Sequence, residues 1–195
     1  MARTFQVLKL NPARTVEFAL FMGEEEGLLG SKAYVASAKN DKSIDQISYM
    51  FNYDMTNDPK GFSTSSEDSR ALFQSIGAIA NKIDTDFKNS LSVGAGLHSD
   101  HQPFMLQGIP TGGGSGGGLP NGAGPCYHAD CDGFNLVDEK GMKNTVRFGT
   151  MLLYGVADAY EIKSKHLTDQ ETKQFLTDRN LKEALQIAGE WRWKD

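Results

Sequence analysis

The stretch Gly23-Glu24-Glu25-Glu26-Gly27-Leu28-Leu29-Gly30-Ser31 decides how this chain is expected to fold. It follows the apolar run 15–22, whose continuous hydrophobic character is typical of a strand covered on both faces. Three adjacent carboxylates after a buried strand are unfavourable unless a cation lies against them. Ligands of open α/β sheets bind at the carboxyl ends of strands. One interpretation is therefore a metal site with a carboxylate base, and the other is a solvated acidic turn at a helix start.

The composition is that of an ordinary globular protein. The chain has 195 residues, which is enough for one domain, and 39% hydrophobic with 23% charged residues argues against a disordered chain. The net charge of −5 offers no basic surface, so nucleic acid is not an expected partner. No apolar run approaches the roughly 20 residues that a membrane-spanning helix needs.

Strand patterns and helix patterns alternate along the chain. After the strand at 15–22, apolar runs predict further strands at 47–53, 90–93 and 109–111. Helical spacing and capping signals predict helices at 2–10, 27–39, 65–83, 99–104 and 140–160, after the capping box at 168–171, and from residue 180 onward. This alternation favours a single α/β domain over residues 1–195 with a mostly parallel sheet.

Two local features stand apart from this pattern. The run 112–118, Gly-Gly-Gly-Ser-Gly-Gly-Gly, has the composition of a flexible segment, either a natural mobile loop or an engineered linker that replaces a longer loop. Cys126 and Cys131 flank His128. A disulfide or two free thiols are favoured there over a zinc knuckle, because a structural zinc usually needs four ligands and no fourth stands out nearby.

Acidic and histidine residues recur where predicted elements end or begin. Asp54 ends the second predicted strand, Asp100 opens a short helix, and His128 follows the glycine run. Glu25, Asp54 and His128 are the oxygen and nitrogen donors that suit zinc. Each residue alone has a plainer interpretation, since an Asp after a strand is usually a turn former or a helix cap. Their combination favours a metal site.

Four motifs then occur in one order along the chain. They are Gly-Glu-Glu-x-Gly-Leu-Leu-Gly-Ser at 23–31, Asn52-Tyr53-Asp54-Met55, Ser99-Asp100-His101-x-Pro103-Phe104, and Tyr127-His128 with Asp132. On these motifs the chain resembles the zinc aminopeptidases of peptidase family M28, over nearly its whole length. The resemblance implies a three-layer α/β/α sandwich that holds two zinc ions with a bridging water.

The resemblance also implies a role for each site residue. Glu24 would be the general base, and Asp100 an acidic catalytic-site group that supports the ligands without binding zinc. Glu25 and His128 would bind one zinc ion, and Asp54 would bind the other. The metals would polarise the scissile carbonyl and lower the pKa of the water, while Glu24 passes its proton to the leaving amine.

One departure from the family pattern limits what this chain is expected to do. The family also uses a His in a His-x-Asp motif and a bridging Asp, both upstream of the Glu-Glu pair, whereas residues 1–23 contain no His and no Asp. His98 and His166 lie in the wrong places to replace them. A catalytic zinc usually has three protein ligands. We therefore expect the carboxyl-terminal part of a longer domain, without the first strands of the sheet, that binds zinc weakly and has little or no peptidase activity.

Two alternatives stay open. A glutaminyl-cyclase-like zinc acyltransferase shares the fold and the donor types, although the Gly27-Leu28-Leu29-Gly30-Ser31 continuation favours a peptidase. A folded fragment without catalysis is the other alternative. The expected substrate is a peptide or dipeptide, and relatives of this kind are commonly exported, so a periplasmic or extracellular location is expected for the intact protein. The sequence does not fix the oligomeric state.

Overall fold

A four-stranded mixed sheet organises the fold, as seen in a computed structural model that describes residues 1–120 and 122–194. The strands are β1 (Met50–Phe51), β2 (Gly61–Thr64), β3 (Ser90–Val93) and β4 (Thr111–Ser115). The helices are α1 (Ala2–Val7), α2 (Leu29–Asn40), α3 (Arg70–Ile83), α4 (Gln102–Met105), α5 (Glu139–Ala157), α6 (Asp169–Asp178) and α7 (Lys182–Ile187).

The strand order is β1-β4-β2-β3, so the sheet is not built in chain order. Strands β1 and β4 are parallel, with Met50 opposite Thr111, and β2 and β3 are parallel over all four residues. Only the β2–β4 pair is antiparallel. Two of the three neighbouring pairs are therefore parallel, which confirms the predicted α/β class with a mostly parallel sheet.

One face of the sheet carries most of the core. Helices α3 and α5 cover this face, and a cluster of buried side chains fills the space between them and the sheet: Phe62, Phe73, Ile76, Ala80, Phe87, Phe148, Leu152 and Val156. The rings of Phe87 and Phe148 lie 4.5 Å apart between their centroids. Burial of such large apolar side chains is the main driving force that holds the helices on the sheet.

The other face is covered near β1 by α2 and α4. Val35 of α2, Phe104 of α4 and Ile109 are buried there, and Met50 packs against them. Successive side chains of a strand point to opposite faces. Met50 accordingly contacts this second helical layer while Phe51 packs on the α3–α5 side. The result is the three-layer α/β/α arrangement.

The predicted strand at 15–22 is not formed. Residues 15–22 are not part of the sheet, and within the described residues no backbone hydrogen bond joins 15–21 to a strand. Phe21 packs against the rings of Tyr34 and Phe104, but Leu20 is 97% exposed and Met22 is 82% exposed. The apolar pattern predicts cover on both faces, and here the side chains of Leu20 and Met22 lack it. The next strand is shortened as well, from the predicted 47–53 to Met50–Phe51.

The prediction of a flexible loop at 112–118 is wrong for residues 112–115, which lie in β4 between two hydrogen-bonded neighbours. A Cβ atom at Gly112 would lie 2.6 Å from the Ser63 backbone oxygen, and one at Gly113 would lie 2.5 Å from that of Asn52. Glycine is therefore used here because neighbouring backbones approach too closely for any side chain. On composition alone, the same residues are predicted to form a flexible linker.

The other elements lie close to their predicted places, with one omission. Strand β3 matches its predicted range, and the Thr168–Glu171 capping box is present with both of its hydrogen bonds. Strand β2 was not predicted, because Phe62 is its only large apolar residue. No helix in the described part of the chain is long and apolar enough to cross a membrane.

Candidate active site

The turn at 23–28 separates the carboxylates by environment. The amide of Leu28 donates to the Glu24 carbonyl at 2.9 Å. The backbone of Leu28 is left-handed, with φ 63°, and its side chain is buried. Helix α2 begins at the next residue. Glu24 is partly buried, whereas Glu25 and Glu26 are exposed. The small residue at Gly30 is required because a Cβ there would lie 2.7 Å from the backbone of Met22.

Asp54 is fixed by a hydroxyl group from a different motif. The Ser99 hydroxyl donates to Asp54 Oδ2 at 2.7 Å, and the Asn52 side-chain amide donates to Ser99 Oγ at 2.7 Å. Ser99 is buried, and Asp54 is exposed. The second and third sequence motifs are thus joined by hydrogen bonds that hold one carboxylate oxygen of Asp54 in place.

The two residues after Ser99 differ in how well their polar atoms are satisfied. Asp100 Oδ1 is buried and has no hydrogen-bond partner among the described residues. His101 Nε2 lies 3.1 Å from the Gly96 carbonyl, and its Nδ1 lies 3.4 Å from the Asn52 amide nitrogen. These contacts fit a neutral ring with the proton on Nε2. Burial lowers the pKa of His101 and favours that neutral form, although Gly96, Asp54 and Asp100 act in the opposite direction.

His128 reaches the acidic turn from a disulfide-closed loop. Cys126 and Cys131 are bonded, so of the open alternatives the disulfide is the one formed. His128 lies in this loop at φ 56°, and its Nε2 is 3.2 Å from Glu25 Oε1. Both side chains are more than half exposed. An imidazole and a carboxylate meeting at the surface could serve as two ligands to one metal ion.

Glu24 lies where the fields of these groups overlap. Burial raises the pKa of Glu24, and the negative charges of Asp54, Glu25 and Asp100 raise it further, while His128 lowers it. A carboxyl group whose pKa is raised by burial and by neighbouring carboxylates is suited to accept and release a proton. The structure therefore brings together all five residues that the sequence singled out.

Residues with left-handed backbones occur in each of the turns that hold these side chains. Leu28, Met55 and His128 all have positive φ without being glycine. Such conformations are uncommon for residues with side chains and recur at functional sites. They show that each turn has a defined local geometry, and none of them is evident from residue type.

The site also contains residues that were named only as parts of motifs. Ser99, Asn52 and His101 form the hydrogen-bonded link around Asp54. Their presence in the two motifs is visible in the sequence, but the contact between the motifs spans 45 residues from Asp54 to Ser99. Only the fold makes it.

The described residues do not make a complete zinc site. Within residues 1–120 and 122–194, no group of three His, Cys, Asp or Glu side chains is placed to hold a metal ion. The side chains of Glu25 and His128 contact each other, while Asp54 accepts a hydrogen bond from the Ser99 hydroxyl. The buried Asp100 Oδ1 has no hydrogen-bond partner among the described residues, which is unfavourable for a polar atom shielded from water. Two ligands are fewer than a catalytic zinc normally has.

Comparisons with known proteins show what the chain is similar to and how much of those proteins it covers. The chain is similar to the solved structure of an aminopeptidase from Aneurinibacillus sp. strain AM-1, with 26% identity and a TM-score of 0.51, over 74% of this chain and 34% of that one. It is also similar to BSAP, a zinc aminopeptidase from Bacillus subtilis, with 25% identity and a TM-score of 0.49, over 74% of this chain and 38% of that one. Among curated proteins no match was found.

The chain therefore spans about a third of the length of the aminopeptidase structures that it resembles. The sequence profile of peptidase family M28 matches residues 1–152, which include all four motifs. This match extends over most of the chain and contains every residue of the site described above. The chain belongs to peptidase family M28.

Proposed function

We propose that this chain forms the carboxyl-terminal part of the catalytic domain of a zinc-dependent exopeptidase of the aminopeptidase type. Membership of the family and the similarity to the Aneurinibacillus aminopeptidase support this proposal. The substrate would be a peptide or dipeptide with a free amino terminus.

The observation that carries the proposal is the family match over residues 1–152, which contains Glu24 and all four motifs. Burial and the negative charges of Asp54, Glu25 and Asp100 raise the pKa of Glu24 above its ordinary value of 4.5. A carboxylate in that position can take a proton from an attacking water and later give it to the leaving amine. Asp100 would add to the negative field that raises the pKa of Glu24.

Glu25 and His128 on one side and Asp54 on the other would each supply part of a zinc site. The remaining donors would come from residues upstream in a longer chain, together with strands that extend the sheet past β1. The 34% coverage of the Aneurinibacillus enzyme supports this, as does the segment 15–22, in which residues 15–21 make no backbone hydrogen bond to a described strand and Leu20 and Met22 are exposed. Zinc bound there would polarise a carbonyl group.

We also propose that the intact protein is exported. The Cys126–Cys131 disulfide supports this location, because such bonds persist in oxidising compartments and are rare in the cytosol.

Metal analysis and a peptidase assay on the purified chain test the proposal. We expect less than one zinc ion per chain after gel filtration and little hydrolysis of an aminoacyl p-nitroanilide. His128→Ala should remove the residual zinc, whereas His166→Gln, a histidine outside the four motifs, should not. Two tightly held zinc ions with rapid turnover in this chain alone would contradict the proposed incompleteness.

The role of Glu24 is tested in the longer protein that contains the upstream donors. Glu24→Gln should lower kcat by about 10²- to 10⁴-fold while the zinc content stays unchanged. Glu26→Gln is the matched control, since Glu26 is an exposed neighbour on the same turn, and it should leave kcat unchanged. Release of free amino acids supports the peptidase, and formation of pyroglutamate would instead support the cyclase-like alternative.

A further inference from the structure

The carboxyl-terminal region packs against the helix that follows the Ser99-Asp100-His101 motif. The family match ends at residue 152, so α6, α7 and the tail lie beyond it. These elements nevertheless share a buried cluster with α4, made of Met105, Leu106, Leu176 and Leu185. A part of the chain that the family profile does not describe is thus in contact with a helix of the candidate active site.

Glu190 is held in place by the end of α7. Gly189 has φ 70°, its amide donates to Gln186 O at 3.1 Å, and the Glu190 amide donates to Leu185 O at 2.8 Å. This pair of hydrogen bonds is the Schellman motif, which needs a left-handed residue at the glycine position. Because Leu185 is fully buried, the backbone of Glu190 is anchored to the core.

The Glu190 carboxylate connects helix α2, which follows the Glu24–Glu25 turn, with Gln102, which follows the Ser99-Asp100-His101 motif. Its Oε2 accepts from the Gln102 side-chain amide at 2.7 Å, and its Oε1 lies 2.8 Å from Lys32 Nζ. Gln102 is 4% exposed, and its Oε1 accepts from the His98 backbone amide at 2.8 Å. Lys32 lies on α2, the helix that begins directly after the Glu24–Glu25 turn.

The orientation of the Gln102 amide is fixed by both ends. The His98 N–H requires an oxygen, and the Glu190 carboxylate requires a donor, so only one orientation satisfies both. The bond to the carboxylate is charge-assisted and is largely shielded from water, since the Glu190 side chain is only 19% exposed. The link therefore runs from Lys32 through Glu190 and Gln102 to His98.

We infer that Glu190 is a positioning residue, which fixes the 98–102 turn bearing Ser99 and Asp100 relative to the helix behind Glu24 and Glu25. As a statement about an active site this rests on the proposed function. The positioning itself is a property of the folded chain and is measurable without metal or substrate. Glu190 would act through Gln102 and would not touch the reacting atoms.

Amide hydrogen exchange of the purified chain, followed by NMR in the presence of a chelator, tests this inference. Glu190→Ala should accelerate exchange at the His98 amide by at least about tenfold, because loss of a charge-assisted hydrogen bond loosens the turn. Lys32→Ala, which removes only the exposed ion pair, should accelerate it by about two- to fivefold. Exchange at the β2 amides of 62–64 should be unchanged in both variants.

Two further variants separate positioning from general loss of stability. Glu190→Gln keeps an acceptor for the Gln102 amide, so it should stay within about threefold of the parent rate at His98, an energy difference of less than about 0.7 kcal/mol. The side-chain NH₂ signals of Gln102 should shift in Glu190→Ala and be largely retained in Glu190→Gln. Glu183→Ala is the matched control, since Glu183 is an exposed glutamate on α7, and it should change neither reading.

An unchanged His98 rate in Glu190→Ala would overturn the inference. So would equal acceleration at His98 and at the β2 amides, since that would report a global loss of stability. If Glu190→Ala does not fold, Lys32→Ala is the deciding variant. The absence of a selective change at His98 in Lys32→Ala then overturns the inference. Failure of the zinc and peptidase assays would leave these exchange results untouched, so the two proposals fail separately.

Discussion

The two ends of the sheet differ sharply in how they are supported. At the β2–β3 end, a four-residue parallel ladder lies under the buried aromatic core of α3 and α5. At the β1 end, the edge strand has two residues, and the neighbouring segment 15–22 makes no ladder. Two motifs of the candidate active site lie at this second, less supported end: the Glu24–Glu25 turn follows the segment 15–22, and Asn52-Tyr53-Asp54 follows β1.

The difference shows that an apolar sequence is not enough to make a strand. Residues 15–22 are more continuously hydrophobic than β2 or β4, yet β2 and β4 are the ones that pair. A strand needs partners for its backbone groups as well as cover for its side chains. Proteins often place functional segments in their less stable regions, and the acidic turn at 23–28 lies in such a region.

Matched leucine truncations at the two ends should give the largest contrast. Leu152→Ala in the fully buried core should lower the free energy of unfolding by about 2–5 kcal/mol, through lost burial and the cavity left behind. Leu20→Ala, at a residue 97% exposed, should change it by less than about 0.5 kcal/mol. Urea unfolding measures both. A large loss for Leu20→Ala would mean that the segment 15–22 is buried in solution, for example against a second copy of the chain.

Alanine substitutions in the glycine run should give the next largest effect. Gly113→Ala places a Cβ 2.5 Å from the Asn52 oxygen, and we expect a loss of about 1–3 kcal/mol from the resulting overpacking. Gly118→Ala has open space around the new methyl group and should stay within about 0.5 kcal/mol. Thermal or urea unfolding of both variants compares them. Equal, small effects would support the linker interpretation of the whole run.

The smallest expected effect is the pH dependence of stability at two glutamates with opposite pKa shifts. Its sign differs between Glu24 in the candidate site and Glu171 in the carboxyl-terminal region. Hydrogen bonds from Thr168 and the ion pair with Lys165 lower the pKa of Glu171 to about 2. Its contribution to stability is present above pH 4.5 and is lost as the pH falls towards 2. Burial and neighbouring carboxylates raise the pKa of Glu24, so its favourable contribution is present below pH 4.5 and is lost as the pH rises through the raised value.

Carboxyl NMR titration in the presence of a chelator, together with unfolding measured against pH, checks these signs. The effect of Glu24→Gln on the free energy of unfolding should be more favourable at neutral pH than at low pH. Glu171→Gln should have a stability no greater than that of the parent at neutral pH, and the difference in stability should shrink as the pH falls towards 2. Titration of Glu24 at or below its ordinary pKa would mean that Glu24 is less buried in solution than in this structure, or that the neighbouring carboxylates lie further away.

The sequence was most informative where short-range signals decide the structure. The Thr168–Glu171 capping box and strand β3 depend on local residues and were predicted in place. Strand β4 depends on close contact with Ser63 and Asn52, which are distant in sequence. The composition of its glycines alone therefore predicts a loop. A pairing partner for 15–22 is likewise a long-range property.

The same division applies to the candidate site. The four motifs were enough to select Glu24, Glu25, Asp54, Asp100 and His128, and in the structure the other four interact electrostatically with Glu24. Their roles in catalysis and metal binding remain predictions. The link from Ser99 to Asp54 and the contact of Glu190 with Gln102 could not have been predicted, because each depends on how distant turns pack.

Strand β4 has a further consequence for how such sequences are searched and mutated. Across Gly112, Gly113 and Gly114 the strand has no side-chain atoms, so every substitution there can only add atoms to a filled space. A mutational scan should therefore find these three positions intolerant, although their composition is as simple as that of a spacer. A search that masks low-complexity sequence would discard a strand from the middle of the sheet before any comparison begins.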